Sequence, residues 1–373
     1  MFRNSLYLGR ILGIPVRIHI SWLIIFILIT VSLAADYFPQ EHPSWSLQLD
    51  WVVGILTSFL FFASVLLHEL AHSVVAVKQG SPVHDIVLFI FGGVSELSEE
   101  PKSPAKEFVM ALAGPLTSFA IGILFGILWL ITRASIEPVA AISKYLAYIN
   151  ILLGAFNLIP GFPLDGGRVL RAILWGLKGN LSQATRWASA VGQGVAFLFI
   201  FAGIWLVFAG HWINGLWIAF IGWFLDNAAM SSYRQVALQS MVAGHTVREA
   251  MSTDYPELQA NVTLEELVLK HVLGSGRRAF PIKRENQLVG LLTLHNIRMI
   301  PRERWQTATV EQAMMPIDQL KTISPNSDLW QALQEMTSEG VNQLLVTENG
   351  NMVGILARDN ILTFIRTLAE LGM

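Results

Sequence analysis

The sequence predicts a polytopic α-helical membrane protein with about six transmembrane helices and a re-entrant β segment, followed by a cytoplasmic α/β domain. Composition supports this, since 53% of the residues are hydrophobic, 14% are charged and the mean hydropathy is +0.51. That charged fraction is about half the usual share. After Arg234 the sequence becomes that of an ordinary soluble domain. We therefore predict a membrane domain over 1–232 and a tail over 241–373.

Six apolar segments are long enough to be considered as membrane spans. They cover approximately 18–35, 51–77, 108–132, 139–158, 188–209 and 212–229. The first segment resembles a signal peptide, but its length favours an uncleaved span.

Basic residues give these segments an orientation. The loop 36–50 has no Lys or Arg and is predicted to lie outside, whereas Lys or Arg residues precede the first segment and follow the second and fourth. After the fourth they are Arg168, Arg171, Lys178 and Arg186. Both termini are therefore predicted to be cytoplasmic.

Charge and cysteine content exclude several function classes. The net charge of −2 argues against a nucleic-acid partner and leaves membrane lipid as the expected surroundings. The chain has no cysteine, so disulfides and thiolate zinc sites are excluded. Any metal must be bound by His, Asp or Glu.

The second apolar segment ends in a histidine pair with metal-ligand spacing. His68 and His72 are four residues apart, so on a helix they share one face and can bind one zinc ion. Glu69 can reach the attacking water as a general base. Residues 51–67 carry no charge, which places His68 about 25 Å into a membrane helix. The alternative is a chance match on a soluble-type helix.

Between the second and third segments, residues 85–97 form an apolar stretch too short to cross a membrane. Their β-branched and aromatic residues around Gly92 and Gly93 predict a re-entrant strand or hairpin that lines the site. Its edge could pair with an extended substrate. The alternative is an interfacial loop without a substrate role.

A second polar stretch follows the fourth segment. Asp165 precedes two glycines and would complete two nitrogens and one oxygen around a metal, leaving one position for water. Taken alone it would be a turn residue. Asn157 could hydrogen-bond a substrate or a developing oxyanion, or serve only the local structure.

These residues together resemble the site-2 protease family of intramembrane metalloproteases. The resemblance covers about the first 230 residues, and it rests on three motifs together with Phe91-Gly92-Gly93 and Ala113-Gly114-Pro115. The motifs are His68-Glu69-Leu70-Ala71-His72, Asn157-Leu158-Ile159-Pro160 and Leu164-Asp165-Gly166-Gly167-Arg168.

The resemblance implies one zinc ion held by His68, His72 and Asp165, with Glu69 activating the water and Asn157 seating the substrate. It implies transmembrane segments of other proteins as substrates, with the Gly92-Gly93 segment as their clamp. It also implies a bacterial or organellar inner membrane. Some relatives carry a PDZ domain, and no insertion large enough for one is present.

The tail contains an internal repeat, with Thr246-Val247-Arg248-Glu249-Ala250-Met251 echoed by Thr309-Val310-Glu311-Gln312-Ala313-Met314. We predict two units, over about 241–305 and 306–373. They resemble a tandem pair of CBS domains, which implies an adenine nucleotide in the cleft between them.

The ligand signature of CBS domains is a Thr or Ser followed three residues later by Asp. Here Thr293 is followed by Asn296, and the second repeat has Ala357 and Asn360, with Asp359 adjacent. Thr293, Asn296 and Asp359 are the candidate nucleotide-binding residues. Because the ribose-binding carboxylate is missing, a structural role or dimerisation through the CBS domains is the alternative.

The sequence therefore predicts an intramembrane zinc endopeptidase modulated or assembled through its CBS pair. One alternative is a membrane-anchored protease with a cytosolic HExxH helix and a glutamate as third ligand. Others are a transporter or channel gated by the CBS pair, and a membrane scaffold that binds zinc without cleaving.

Overall fold

The computed structural model describes residues 5–97, 101–256, 258–273, 277–285 and 287–371. Its contacts divide the chain into two units, Met1–Val236 and Ala237–Met373. The predicted domain bounds, 1–232 and 241–373, stay predictions.

The first unit combines long apolar helices with one four-stranded sheet. The strands are β1 (Ser5–Ile11), β2 (Ile14–His19), β3 (Val83–Phe89) and β4 (Gly92–Leu97). The helices are α1 (Ser21–Ser32), α2 (Phe38–Glu41), α3 (Leu47–Lys78), α4 (Pro104–Thr132), α5 (Glu137–Asn157), α6 (Asp165–Lys178), α7 (Leu181–Phe208) and α8 (Trp212–Val242), whose last six residues belong to the second unit. A π-helical turn, Leu33–Tyr37, joins α1 to α2.

Five helical stretches of the described residues are long and apolar enough to cross a membrane. They are Ser21–Glu41, Leu47–Lys78, Pro104–Thr132, Glu137–Asn157 and Leu181–Phe208. The predicted class, a polytopic helical membrane protein, is confirmed. The sixth predicted segment, 212–229, lies within α8, which is not one of these five, so the count of six stays a prediction.

The sheet has the strand order β1-β2-β3-β4, with β2 parallel to β3 and the two outer pairs antiparallel. The predicted hairpin over 85–97 is present as β3 and β4, while its membrane depth stays a prediction. β1 and β2 were not predicted. Their turn places Leu12 and Gly13 at φ 51° and 82°, as a type I′ hairpin requires.

The sheet packs against the helix that carries the histidine pair. Ile14 of β2, Leu70 of α3 and Ile86 of β3 form one buried cluster, with Leu66 and Val74 packed around it. The apolar residues of α3 at 66, 70 and 74 recur every four positions and so share a face. This contact brings β4, the edge strand, alongside the motif.

The prolines and glycines after Asn157 favour irregular structure, and taken alone Asp165 was expected to be a turn residue; it is instead the first residue of α6. Gly166 and Gly167 explain the difference. A Cβ on Gly166 would lie 2.3 Å from the carbonyl oxygen of Ile159, and one on Gly167 would lie 2.3 Å from the carbonyl carbon of Gly161. The glycines let the first turn of α6 pack directly on the preceding loop.

A buried ion pair joins α6 to α4. Arg171 Nε donates to Glu107 Oε1 at 2.6 Å, and the side chains are only 5% and 1% exposed. The Arg171 guanidinium also lies 5.2 Å from the ring centroid of Phe162. Arg171 was counted among the basic residues of a predicted cytoplasmic loop. It is instead a buried helix residue that pairs with Glu107 of a second helix.

We predict that Arg171→Met destabilises the membrane domain by about 3–5 kcal/mol, because Glu107 then keeps a buried charge without its counter-ion. The double variant Glu107→Met/Arg171→Met should regain most of that loss. Apparent melting temperature in detergent measures both. A double variant as unstable as the single one would contradict the role of the pair.

The second unit contains two small sheets that correspond to the two repeats. One sheet has the order β5 (Leu258–Gln259), β6 (Ala279–Arg284), β7 (Gln287–Thr293) and β8 (Met315–Pro316). The other has the order β11 (Asn351–Ala357), β10 (Gln343–Glu348) and β9 (Thr322–Ile323). The helices are Val247–Ala250, Leu264–Leu267 with a π-helical turn at Val268–Val272, Leu294–Arg298, Val310–Ala313, Leu329–Ser338 and Arg358–Leu371, and two 3-10 turns span Arg302–Arg304 and Ile317–Gln319.

The two repeats exchange their first helices. Val247 and Ala250 are buried in the core of the second sheet, whereas Val310 and Ala313 are buried in the core of the first. Each core therefore contains residues of both sequence repeats. Neither repeat could bury its apolar residues alone. The repeat bounds 241–305 and 306–373 stay predictions. The sequence also predicts a polar turn at Arg284-Glu285-Asn286 between two β-rich runs, and Asn286 lies outside the described residues.

Candidate metal centre

Three predicted ligands from two helices meet at one point. His68 and His72 lie one turn apart on α3, and Asp165 is the first residue of α6. Asp165 Oδ2 lies 3.1 Å from His68 Nε2 and 3.1 Å from His72 Nε2, and the two Nε2 atoms are 3.3 Å apart. The side chains are 5%, 12% and 16% exposed. Among the described residues, this is the one group of three or more His, Asp or Glu side chains with metal-binding spacing.

Helix α4 orients both imidazoles. His68 Nδ1 lies 2.8 Å from Ser118 Oγ, and His72 Nδ1 lies 2.7 Å from the carbonyl oxygen of Met110. With each Nδ1 engaged, each Nε2 faces Asp165, as is typical of metal-binding histidines. Sequence analysis missed Ser118 and Met110. Their spacing of eight residues puts them on one helix face, but a helix pattern alone does not identify what that face contacts.

Gly114 lies between these two α4 residues and leaves room at the centre. A Cβ on Gly114 would lie 2.2 Å from His72 Nε2 and 2.5 Å from His68 Nε2. Any side chain there would fill the space that the two nitrogens face. Ala113-Gly114-Pro115 is one of the stretches that carry the family resemblance. The need for space beside the two imidazoles is a physical reason for its glycine.

The three atoms fit a zinc ion by distance and by chemistry. Zinc bonds to nitrogen and oxygen are about 2.0–2.1 Å long, so ligand atoms of a tetrahedral site are separated by about 3.3 Å. The observed separations are 3.1 to 3.3 Å. Two imidazole nitrogens and one carboxylate oxygen are also the donors of catalytic zinc sites that leave the fourth position for water.

Glu69 lies beside the triplet and contacts the edge strand. Its Oε2 accepts a hydrogen bond of 2.8 Å from Ser95 Oγ of β4. A Cβ on Gly93 would lie 2.4 Å from Glu69 Cγ, so the glycine gives the side chain its space. Glu69 thus adjoins the candidate ligand His68 in the chain and is held against β4.

The tip of the β3–β4 hairpin contacts α8. Gly92 has φ +124°, a backbone conformation that favours glycine. The ring of Phe91 stacks on Phe224 at a centroid distance of 4.0 Å and lies 6.0 Å from Phe220. Helix α8 therefore covers the end of the hairpin next to the metal centre.

The predicted site residues Asn157, Thr293, Asn296 and Asp359 each have a hydrogen-bond or ion-pair partner of their own. Asn157 ends α5, and its Nδ2 donates to the carbonyl oxygen of Leu153 at 3.1 Å. In the tail, Thr293 Oγ1 donates to Asn296 Oδ1 at 2.5 Å in a helix capping box. Asp359 pairs with Arg278 at 3.4 Å.

Comparison with known proteins identifies the family. The model of Peptidase family M50 matches residues 56–134 and 126–201, and that of the CBS domain matches residues 310–367. A Synechocystis sp. protein named as a zinc metalloprotease, sll0528, is 35% identical over 98% of this chain and 97% of its own length. The chain belongs to peptidase family M50.

A sequence and a solved structure from Methanocaldococcus jannaschii are also similar to this chain. The zinc metalloprotease MJ0392 of Methanocaldococcus jannaschii is 28% identical over 96% of this chain and 95% of its own length. The solved site-2 protease from the same organism is 31% identical, covers 61% of this chain and 95% of its own, and superposes with a TM-score of 0.42. The predicted family and enzyme class, an integral membrane metalloprotease of the site-2 type with a C-terminal CBS region, are confirmed. The family implies zinc.

We predict that Gly114→Ala lowers bound zinc at least about tenfold, because its methyl group would occupy the space that both Nε2 atoms face. The matched control is Gly126→Ala on the same helix, where the nearest atom to an added Cβ is 3.9 Å away. It should keep wild-type zinc. Zinc per chain, measured by plasma mass spectrometry, tests both. Full zinc in Gly114→Ala would contradict the proposed centre.

Proposed function

We propose that this chain is a zinc endopeptidase that hydrolyses peptide bonds within transmembrane segments of other membrane proteins. The observation that carries the proposal is the convergence of His68, His72 and Asp165 next to Glu69. Three of these four residues lie on α3, which is long enough to span a membrane, and Asp165 opens α6. Ionisable groups inside a membrane domain are costly, and a metal-dependent reaction accounts for these four.

The proposed mechanism assigns one role to each of these side chains. The two histidines and Asp165 would hold zinc, which when bound polarises the substrate carbonyl and lowers the pKa of water. Glu69 takes a proton from the attacking water and delivers it to the leaving amine. Ser118 and the Met110 carbonyl keep the imidazoles aimed at the centre, and Gly114 keeps the space open.

We propose that the substrate binds as an extended strand along β4. A transmembrane helix hides its peptide bonds, so it must unwind locally before cleavage. Within the described residues β4 pairs only with β3, and its other edge is available for backbone hydrogen bonds. Gly92 and Gly93 would let that backbone approach Glu69 closely. The proposed clamp is therefore the edge strand β4.

We further propose that Asn157 polarises or seats the substrate. One of its two amide hydrogens is used within α5, in the hydrogen bond to the carbonyl oxygen of Leu153. An amide nitrogen carries two donors, so a second remains for a substrate carbonyl. The contribution of Asn157 to substrate binding or polarisation would add to that of the metal centre.

We predict that purified wild-type protein cleaves a reporter transmembrane segment, while Glu69→Gln, with zinc still bound, is slower by at least about 100-fold. That loss is typical when a general base is removed. Product formation by mass spectrometry, with zinc content measured in parallel, tests it. Equal cleavage by both would exclude Glu69 as the base. Zinc binding without turnover on a panel of segments would favour a scaffold.

For orientation we propose that both termini are cytoplasmic and the loop 36–50 is outside. The absence of Lys and Arg from that loop supports this.

For the tail we propose a structural or assembling role, including dimerisation, in place of adenine-nucleotide sensing. Asn stands where the ribose-binding Asp is expected, and Asn296 is engaged in a helix cap.

We predict that millimolar AMP or ATP leaves the melting temperature of the full chain unchanged within about 1 °C. A bound ligand stabilises the folded state in proportion to the logarithm of its concentration over Kd, so a site occupied at these concentrations would raise it by several degrees. Differential scanning fluorimetry measures this. A rise that disappears in Asp359→Ala would show that the CBS pair binds nucleotide.

A further inference from the structure

Two serines connect Glu69 to the edge strand. Ser95 Oγ of β4 lies 2.8 Å from Glu69 Oε2. Ser73, one turn after Glu69 on α3, has its Oγ 3.0 Å from Ser95 Oγ and 2.9 Å from the carbonyl oxygen of Glu69. These hydroxyls link the helix of the histidine pair to the strand proposed to receive the substrate. None of them belongs to the metal ligands or to the motifs found in the sequence.

The direction of each hydrogen follows from the acceptors. An ionised carboxylate only accepts, so Ser95 must donate to Glu69 Oε2. This contact is shorter than the alternative from Ser95 Oγ to the Glu69 carbonyl oxygen, at 3.3 Å. Ser73 is then free to donate to that carbonyl or to Ser95. Glu69 Oε1 remains to accept the proton of the attacking water.

A glutamate needs such a contact because its terminal torsion is broad and selects no single carboxylate orientation. Gly93 and Ser95 lie two residues apart, so they share one face of β4. Gly93 gives Glu69 Cγ its space and Ser95 fixes the carboxylate. The two strand residues together set both the position and the rotation of the side chain.

We infer that Ser95 is a positioning residue that orients Glu69 toward the attacking water and ties this orientation to strand β4. The inference rests on the proposed function and deepens it. A substrate that pairs with β4 would then meet a general base held by the same strand. The hydrogen bond between Ser95 and Glu69 also holds strand β4 against helix α3.

The first test is the kinetics of Ser95→Ala on the reporter segment. We expect kcat to fall about tenfold or more, as is typical for the loss of one hydrogen bond to a charged group. KM and bound zinc should stay at wild-type values, and Ser95→Thr, which keeps a hydroxyl, should recover most of kcat. The matched control is Ser58→Ala. Ser58 is a buried serine of α3 that donates only to its own helix, to the carbonyl oxygen of Gly54 at 2.9 Å.

A wild-type kcat in Ser95→Ala would overturn the inference. So would a loss confined to KM, a loss of zinc, or a threonine variant as slow as the alanine variant. Wild-type cleavage in the same assay distinguishes failure of the Ser95 inference from failure of the proposed protease function. A wild type that leaves every segment intact counts against the protease function itself.

The second test does not depend on turnover. Hydrogen–deuterium exchange of the peptide that contains β4 should be faster in both Glu69→Ala and Ser95→Ala than in wild type or Ser58→Ala. Each of the first two variants removes one end of the same hydrogen bond, so their effects should be similar in size. Exchange in both variants at the wild-type rate would overturn the link between Glu69 and the strand.

Discussion

The structure depends on the close approach of α4 to the two imidazoles of α3. A metal-binding imidazole is usually oriented by a partner at its other nitrogen, and α4 supplies one for both rings, through Ser118 and the Met110 carbonyl. Gly114, between them, is the position at which any side chain would close the space. One face of one helix therefore both orients the ligands and leaves room for the ion.

The third ligand reaches this centre through a second close packing. Asp165 opens α6, whose first turn can pack on the preceding loop because Gly166 and Gly167 have no side chains. Farther along, the buried pair of Arg171 and Glu107 fixes α6 against α4. The same helix α4 thus sets the positions of all three proposed ligands, and the carboxylate from a separate helix lies 3.1 Å from each of the two nitrogens.

Sequence reasoning could select the candidate residues whose local spacing indicates their chemistry. The pair at 68 and 72 follows from helix periodicity, and Asp165 follows from the need for a third ligand with an oxygen donor. It could not find Ser118, which is fifty residues from His68, or Ser95, which is twenty-six from Glu69, because hydroxyls at those distances become partners only through tertiary packing. It also missed the hairpin of β1 and β2, most of whose residues precede the first predicted segment at 18–35, and it took Arg171 for a loop charge.

Two imidazoles and one carboxylate on α3 and α6 are proposed to form a single zinc centre. X-ray absorption at the zinc edge of the purified, zinc-loaded protein can identify these ligands. We expect a first shell of nitrogen and oxygen at about 2.0–2.1 Å with the scattering signature of two imidazoles. In His72→Ala the signature should fall to one imidazole. A six-oxygen shell, or an unchanged spectrum in His72→Ala, would rule out this set of ligands.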